Sequence, residues 1–259
     1  MRFVIPDGTA MLPDMLIDTL PKPGPLALGD TALFLDLDGT IAPIADRPGD
    51  VGPDPRRTRL LERLDAGLCG RLAVVSGRTL PEIDAILEGK VAWAAAVHGL
   101  VRRGAGRAVL EVPAHPELPA VRARLRAFAA GADGLIVEEK GASVALHYRL
   151  APACAAEARR LARDLAAETG LTIQEGDMVA ELRTPGPTKG DAVRAFMAMG
   201  AFAGATPVFV GDDVTDEHGF AEVRRLGGYG VLVGAPRATA ATFGLHDVDE
   251  VLAWLEAAR

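Results

Sequence analysis

The chain has 259 residues and a formal net charge of −7, long enough for one large α/β unit or for a core with a smaller insert. That charge excludes the basic face on which general nucleic-acid or membrane-surface binding depends. Hydrophobic residues make up 49% but aromatics only 5%, which predicts a core of Ala, Val and Leu. Cys69 and Cys154 stand far apart without a CxxC pair, against a disulfide framework or zinc site and in favour of a reducing, cytoplasmic setting.

Residues 1–29 read as an extension broken by Pro6, Pro13, Pro21, Pro23 and Pro25, with one short helix predicted near 11–20. The apolar run at its start breaks too early for a signal peptide. Leu33-Phe34-Leu35 then predicts a buried strand that stops at Asp36-Leu37-Asp38-Gly39-Thr40. Asp36 and Asp38 flank one apolar residue, so strand alternation turns both carboxylates to the same side. Two carboxylates held together repel, so one binds a cation or keeps a proton. Taken alone, the stretch is explained equally well as an ordinary Asp-Gly turn.

After a loop at 41–55, Asp54-Pro55 opens a helix to about residue 68, with Asp as cap and Pro at the first helical position. Residues 72–75 form a second apolar strand ending in Ser76-Gly77-Arg78, and Ser76 or Thr79 caps the helix that follows. A third strand at 91–97 ends in His98-Gly99. This alternation predicts a doubly wound parallel sheet, an α/β fold.

From 104 to 185 the rhythm changes: helix 116–130, strands 135–139 and 143–150, helix 152–169, strands 171–175 and 178–182. The strand at 143–150 alternates as a half-exposed antiparallel strand would. The αββαββ order predicts an inserted α+β domain over 104–185, between core segments 30–103 and 186–259. Its hinges are expected at Gly104-Ala105-Gly106 and Thr184-Pro185-Gly186-Pro187. The first rhythm then returns with a helix at 188–199, a strand at 207–210 ending in Gly211-Asp212-Asp213, a helix at 215–226, a strand at 230–233 and a helix at 248–258. Gly200, Gly204 and Pro207 punctuate the uncharged stretch 195–211, which predicts turn and strand rather than a membrane span.

Four polar clusters occupy comparable places: Asp36-Leu37-Asp38-Gly39-Thr40, Ser76-Gly77-Arg78, Thr188-Lys189-Gly190-Asp191 and Gly211-Asp212-Asp213-Val214-Thr215-Asp216. Singly they read as turns and helix caps. Together, in this order, they resemble the four motifs of haloacid-dehalogenase-superfamily phosphatases. Neither Asp site has EF-hand ligand spacing, and no Walker A pattern is present. The resemblance implies Asp36 as nucleophile, forming an aspartyl-phosphate, and Asp38 as acid and then base. It implies a Mg²⁺ ion held by carboxylate oxygens of Asp36 and Asp212 and the Asp38 carbonyl, with Asp213 and Asp216 assisting. Lys189 supplies positive charge, Ser76 a hydroxyl, and Gly39, Thr40 and Gly77 close backbone approach to the phosphoryl oxygens.

On the insert, Glu138, Lys140, His147, Arg149 and Glu181 are polar residues suited to sugar hydroxyls. A solvated face with cross-strand ion pairs is the plain alternative. Glu138-Glu139-Lys140-Gly141, Leu146-His147-Tyr148-Arg149, Val179-Ala180-Glu181-Leu182-Arg183, Val97-His98-Gly99 and Gly211–Glu217 resemble trehalose-phosphate phosphatases, over nearly everything from Thr31 onward. In that family the insert is a cap over the core. The resemblance implies sugar contacts at Glu138, Lys140, Arg149 and Glu181, with Arg78, His98 and Gly99 at the core–cap junction. One position departs: where the family reads His-Gly-x-Glu-x-Arg, this chain has Val101 in place of Glu. The expected activity is Mg²⁺-dependent hydrolysis of a disaccharide phosphate, trehalose 6-phosphate, by a monomer with no nucleic-acid or membrane partner. The same chemistry on sucrose phosphate or mannosyl-phosphoglycerate, and a non-catalytic sugar-phosphate sensor, are its rivals.

Overall fold

The computed structural model describes residues 20–259, and the helix expected at 11–20 falls outside that range except for Leu20. The chain opens with β1 (Thr31–Leu35), α1 (Pro55–Gly67), β2 (Leu72–Val75), α2 (Leu80–Ile86), β3 (Trp93–Ala96), β4 (Val101–Arg103) and β5 (Val109–Glu111). It continues with α3 (Leu118–Ala129), β6 (Ile136–Glu139), β7 (Ser143–His147), α4 (Ala155–Thr169), β8 (Thr172–Gly176) and β9 (Val179–Arg183). It returns with α5 (Lys189–Met197), β10 (Thr206–Gly211), α6 (Glu217–Arg225), β11 (Tyr229–Val233), β12 (Phe243–Leu245) and α7 (Val248–Glu256).

The larger sheet has the order β12-β11-β10-β1-β2-β3-β4-β5, parallel from β12 through β3 and antiparallel at β4 and β5. Period-two alternation makes β1 serve both faces. Leu33 and Leu35 pack with α1, α2 and α7 through Leu60, Leu64, Ile83, Val251 and Leu255. Ala32 and Phe34 pack on the opposite face with Val193 and Phe196 of α5 and Phe220 of α6. This is the doubly wound core that the sequence predicts, with Phe34, Phe196 and Phe202 stacked on one of its faces.

The chain leaves β1 towards β2 on one side and later fills β10 on the other, so the strand order reverses between β1 and β10. Open α/β sheets bind ligands in the crevice at the carboxyl ends of such a pair. Asp36 and Asp212 stand there, directly after β1 and β10.

The second sheet, β6-β7-β9-β8, is wholly antiparallel. Its α3 and α4 cover one face through Val121, Leu125, Ala158 and Leu165, against Val144, Leu146 and Tyr148. Two expectations change. Gly104-Ala105-Gly106 is no hinge: it is the turn of the β4–β5 hairpin, which extends the large sheet to Glu111. Glycine marks a tight turn as readily as a domain boundary. The strand at 143–150 alternates in chemistry but is not half-exposed, because Ser143 and Ala145 are as buried as Val144 and Leu146. Its polar face turns toward the core rather than to water.

Candidate active site

A buried lysine forms the floor of the site. Thr188 caps α5 by accepting from Asp191 N while Asp191 accepts from Thr188 N, and this box sets Lys189 as the first helical residue. Lys189 Nζ donates to Asp36 Oδ1 at 2.8 Å and to Asp216 Oδ1 at 2.7 Å, with only 3% of its side chain exposed. Burial works against a charged lysine, but Asp216 and Asp36 together hold the ammonium well above its ordinary range. Burial likewise raises the Asp36 carboxyl well above its usual value, and Lys189 offsets this only in part.

The loop after β10 folds round its own carboxylate. Asp216 Oδ2 accepts from the main-chain N–H of Asp212 and of Asp213, each at 3.0 Å. Asp212 is left with one weak donor, Thr40 Oγ1 at 3.3 Å, and burial with the nearby Asp216 charge pushes its carboxyl up to about 7. Gly39 has φ +76°, and a Cβ there would overlap the Asp212 carboxylate, so glycine is required on both counts. Asp36, Asp212 and Asp216 each offer an oxygen within 4.8 Å of the others. Asp216 spends both oxygens on Lys189 and the main chain, which leaves Asp36 and Asp212 with unspent acceptors. An all-oxygen set with excess negative charge suits a hard divalent cation.

Asp38 faces the same cleft, but Arg78 holds it: Nε and Nη2 donate to its two oxygens at 2.8 and 2.7 Å. Arg78 also donates to Pro48 O at 2.5 Å. Ser76 is buried and its Oγ accepts from Arg78 N at 3.2 Å, so the Ser76-Gly77-Arg78 turn is tied by its own hydroxyl. The Thr40 hydroxyl is committed to Asp212, and the Asp213 carboxylate caps the Val214–Asp216 turn, accepting from Val214 N at 2.7 Å. Of Asp213 and Asp216, both expected to assist, Asp216 is the one that joins Asp36 and Asp212 in the carboxylate group.

The small sheet supplies the opposite wall. Its register sets Glu138, Ala145, Glu181 and Gln174 side by side across the four strands, a polar row with a small residue at its centre. Lys140 Nζ lies 3.1 Å from Glu181 Oε2 and 3.5 Å from Glu138 Oε2. His147 Nε2 lies 2.7 Å from Glu138 Oε2, and Arg149 pairs with Asp177 at 2.8 Å. Burial opposes a charged Glu181, yet Lys140 and His98 hold its carboxyl well below the usual range.

His98 joins the two walls. Its Nε2 is 3.5 Å from Glu181 Oε2, while its backbone N–H donates to Ser76 O at 2.9 Å. Val97 and His98 both take positive φ, 47° and 56°, and Gly99 follows at 106°. A Cβ on Gly77 would lie 2.5 Å from the His98 ring, and one on Gly99 2.5 Å from Thr188 O. The turn is therefore wedged between the Ser76 loop and the start of α5. Val101 is buried in the apolar cluster at the start of β4, and Arg103 binds Asp84.

The cleft between these walls holds about 660 Å³, and Asp36, Asp38, Lys189, Asp212, Glu138 and Glu181 all line it. Every expected substrate residue except Gly99 reaches it. Sequence reasoning missed Gln174 and Asp177. The register partner of Glu181 was the only available signal for Gln174, and it exists only once the strands are paired.

The parallel core, the carboxylate–lysine floor and the small sheet facing it define a haloacid-dehalogenase-like phosphatase fold. A domain of Candida albicans trehalose-6-phosphate phosphatase is similar at TM-score 0.80, over 92% of this chain and 97% of that one, and at 19% identity it bears on fold alone. A trehalose-6-phosphate phosphatase related protein is similar at TM-score 0.73 and 26% identity, over 86% and 95% of the two chains. In sequence, residues 34–249 match the model of the trehalose-phosphatase family. The trehalose-6-phosphate phosphatase of Escherichia coli is 39% identical over 231 residues, covering 87% of this chain and 85% of that protein. A probable trehalose-phosphate phosphatase of Sinorhizobium fredii is 37% identical, covering 89% and 88%. The chain belongs to the trehalose-phosphatase family.

Proposed function

We propose that the protein hydrolyses trehalose 6-phosphate to trehalose and inorganic phosphate, with an aspartyl-phosphate on Asp36. The observation that carries this reading is the buried Lys189 bridging Asp36 and Asp216 at the foot of a cleft whose far wall is the Glu138–Lys140–Glu181 cluster. A phosphate would meet positive charge at the floor while a sugar met hydroxyl-binding groups above it.

In the first step an Asp36 oxygen forms a bond to phosphorus, and the bond from phosphorus to the sugar oxygen breaks with its electron pair. Asp38 supplies the proton for that oxygen. In the second step water attacks phosphorus, Asp38 takes the water's proton, and the Asp36 carboxylate is released with inorganic phosphate. Arg78 engages both oxygens of Asp38, so Asp38 must turn from Arg78 toward the leaving group to act as an acid. Lys189 stays charged throughout and lowers the cost of bringing a carboxylate to a phosphate dianion. Asp36 and Asp212 would hold Mg²⁺, whose charge polarises a phosphoryl oxygen when the ion is bound. Two free thiols and, among the described residues, no helix long and apolar enough to cross a membrane are compatible with a cytoplasmic site of action.

A panel of sugar phosphates including trehalose, sucrose and glucose phosphates, assayed for released phosphate with and without Mg²⁺, tests the reading. Trehalose 6-phosphate is expected to turn over fastest, only with the cation, and not at all in D36N. Faster turnover of another disaccharide phosphate would move the substrate assignment, for which Val101 is the motive.

A further inference from the structure

The loop after β11, Gly234-Ala235-Pro236-Arg237, reaches the acidic loop after β10 from behind. Arg237 Nη2 donates to the main-chain carbonyls of Asp213 at 2.8 Å and Asp212 at 3.3 Å. Its Nη1 donates to Glu217, whose other oxygen accepts from Ala240 N at 2.7 Å. Glu217 opens α6 directly after Asp216, and the Arg237 and Glu217 side chains are each 26% exposed. The segment carrying Asp212 is thus gripped on its N–H side by Asp216 and on its carbonyl side by Arg237.

A main chain with carbonyls paired on one side and N–H groups on the other has little freedom to rotate. The Asp212 carboxylate needs that restraint, because its one side-chain donor is the 3.3 Å bond from Thr40. We propose that Arg237, oriented by Glu217, is a positioning residue for the divalent-cation site, fixing the Asp212–Asp213 main chain so that Asp212 faces Asp36. The inference rests on the cation reading given above for Asp36 and Asp212.

The sign of its effect separates positioning from plain electrostatics. A guanidinium near a cation site repels the cation, so if charge alone mattered its removal would tighten binding. Loss of a support behind a metal ligand weakens binding instead, by about 10-fold or more. The test is Mn²⁺ binding to the full chain, R237A and R237K, read by calorimetry and by the paramagnetic resonance of free Mn²⁺. R237A is expected to raise Kd about 10-fold, with turnover recovering as Mn²⁺ is raised to saturation. R237K, which keeps the charge but loses the planar fork, is expected to raise Kd by a smaller factor. Equal or tighter binding in R237A overturns the inference and leaves the cation reading standing. If R237A fails to fold, R237K decides: a Kd equal to that of the parent chain overturns the inference. No Mn²⁺ binding by the parent chain removes the cation reading, and this inference with it.

Discussion

Lys189 is the residue on which the site's electrostatics turn. Two buried carboxylates, Asp36 and Asp216, share its ammonium, and a third, Asp212, lies close by without a full partner. Removing one member of a buried ion group leaves uncompensated charge in a poor dielectric. Lys189→Met is therefore expected to abolish turnover and to destabilise the fold by about 3–5 kcal/mol, measured by denaturant unfolding. A stable Lys189→Met protein with normal activity would show that the ammonium is dispensable at both steps. The sequence pointed to Lys189 only through the joint resemblance of four polar clusters, and its double partnership depends on β1 and β10 lying side by side, which no local pattern encodes.

At the scale of elements, the small sheet divides labour between its faces. Val144 and Leu146 of β7, with Tyr148 just after it, bury against α3 and α4, while the alternate residues join a polar row toward the core. Glu181 sits in that row beside Lys140, on the wall opposite the strand ends that carry Asp36 and Asp212. Glu181→Ala is accordingly expected to leave hydrolysis of a small phosphate ester within about two-fold of normal, while lowering disaccharide kcat/KM by about 10-fold or more, as loss of a charge-assisted hydrogen bond would. Equal losses on both substrates would mean that Glu181 serves the chemistry or the fold rather than the sugar. Helix and strand positions in this region were legible from period and turn residues. The burial of Ser143 and Ala145 was not, because it reflects what lies opposite the sheet.

For the molecule as a whole, the junction between the two sheets carries a pH dependence with a definite sign. Glu181 is held below its ordinary carboxyl value of 4.5, so its contribution to stability is complete above 4.5 and is lost as pH falls below it. Burial holds the His98 imidazole below its ordinary 6.5, and an unfolded chain takes up a proton there first, so its contribution is complete above 6.5 and lost on acidification through that value. Both act in the same direction. Stability is expected to fall as pH is lowered from neutral, with Glu181→Gln flattening the portion below about 4.5 in unfolding curves taken across pH. A profile unaltered by that substitution would remove Glu181 from the junction's energetics. We also propose that the insert moves as a cap, with its first hinge after Glu111 rather than at Gly104.

By itself the sequence determined the local chemistry. An apolar strand ending in Asp36-Leu37-Asp38-Gly39 must turn there, Thr188 must cap, and a run of αββαββ must fold apart from a parallel core. Tertiary structure alone decided which groups meet. Asp216 rather than Asp213 stands in the carboxylate group, Thr40 serves Asp212, Arg78 holds Asp38, and Arg237 grips the loop behind them. The reason is range. Hydrophobic period and turn chemistry act over a few residues, whereas Lys189 and Asp36 are 153 positions apart and meet only when the strand order reverses.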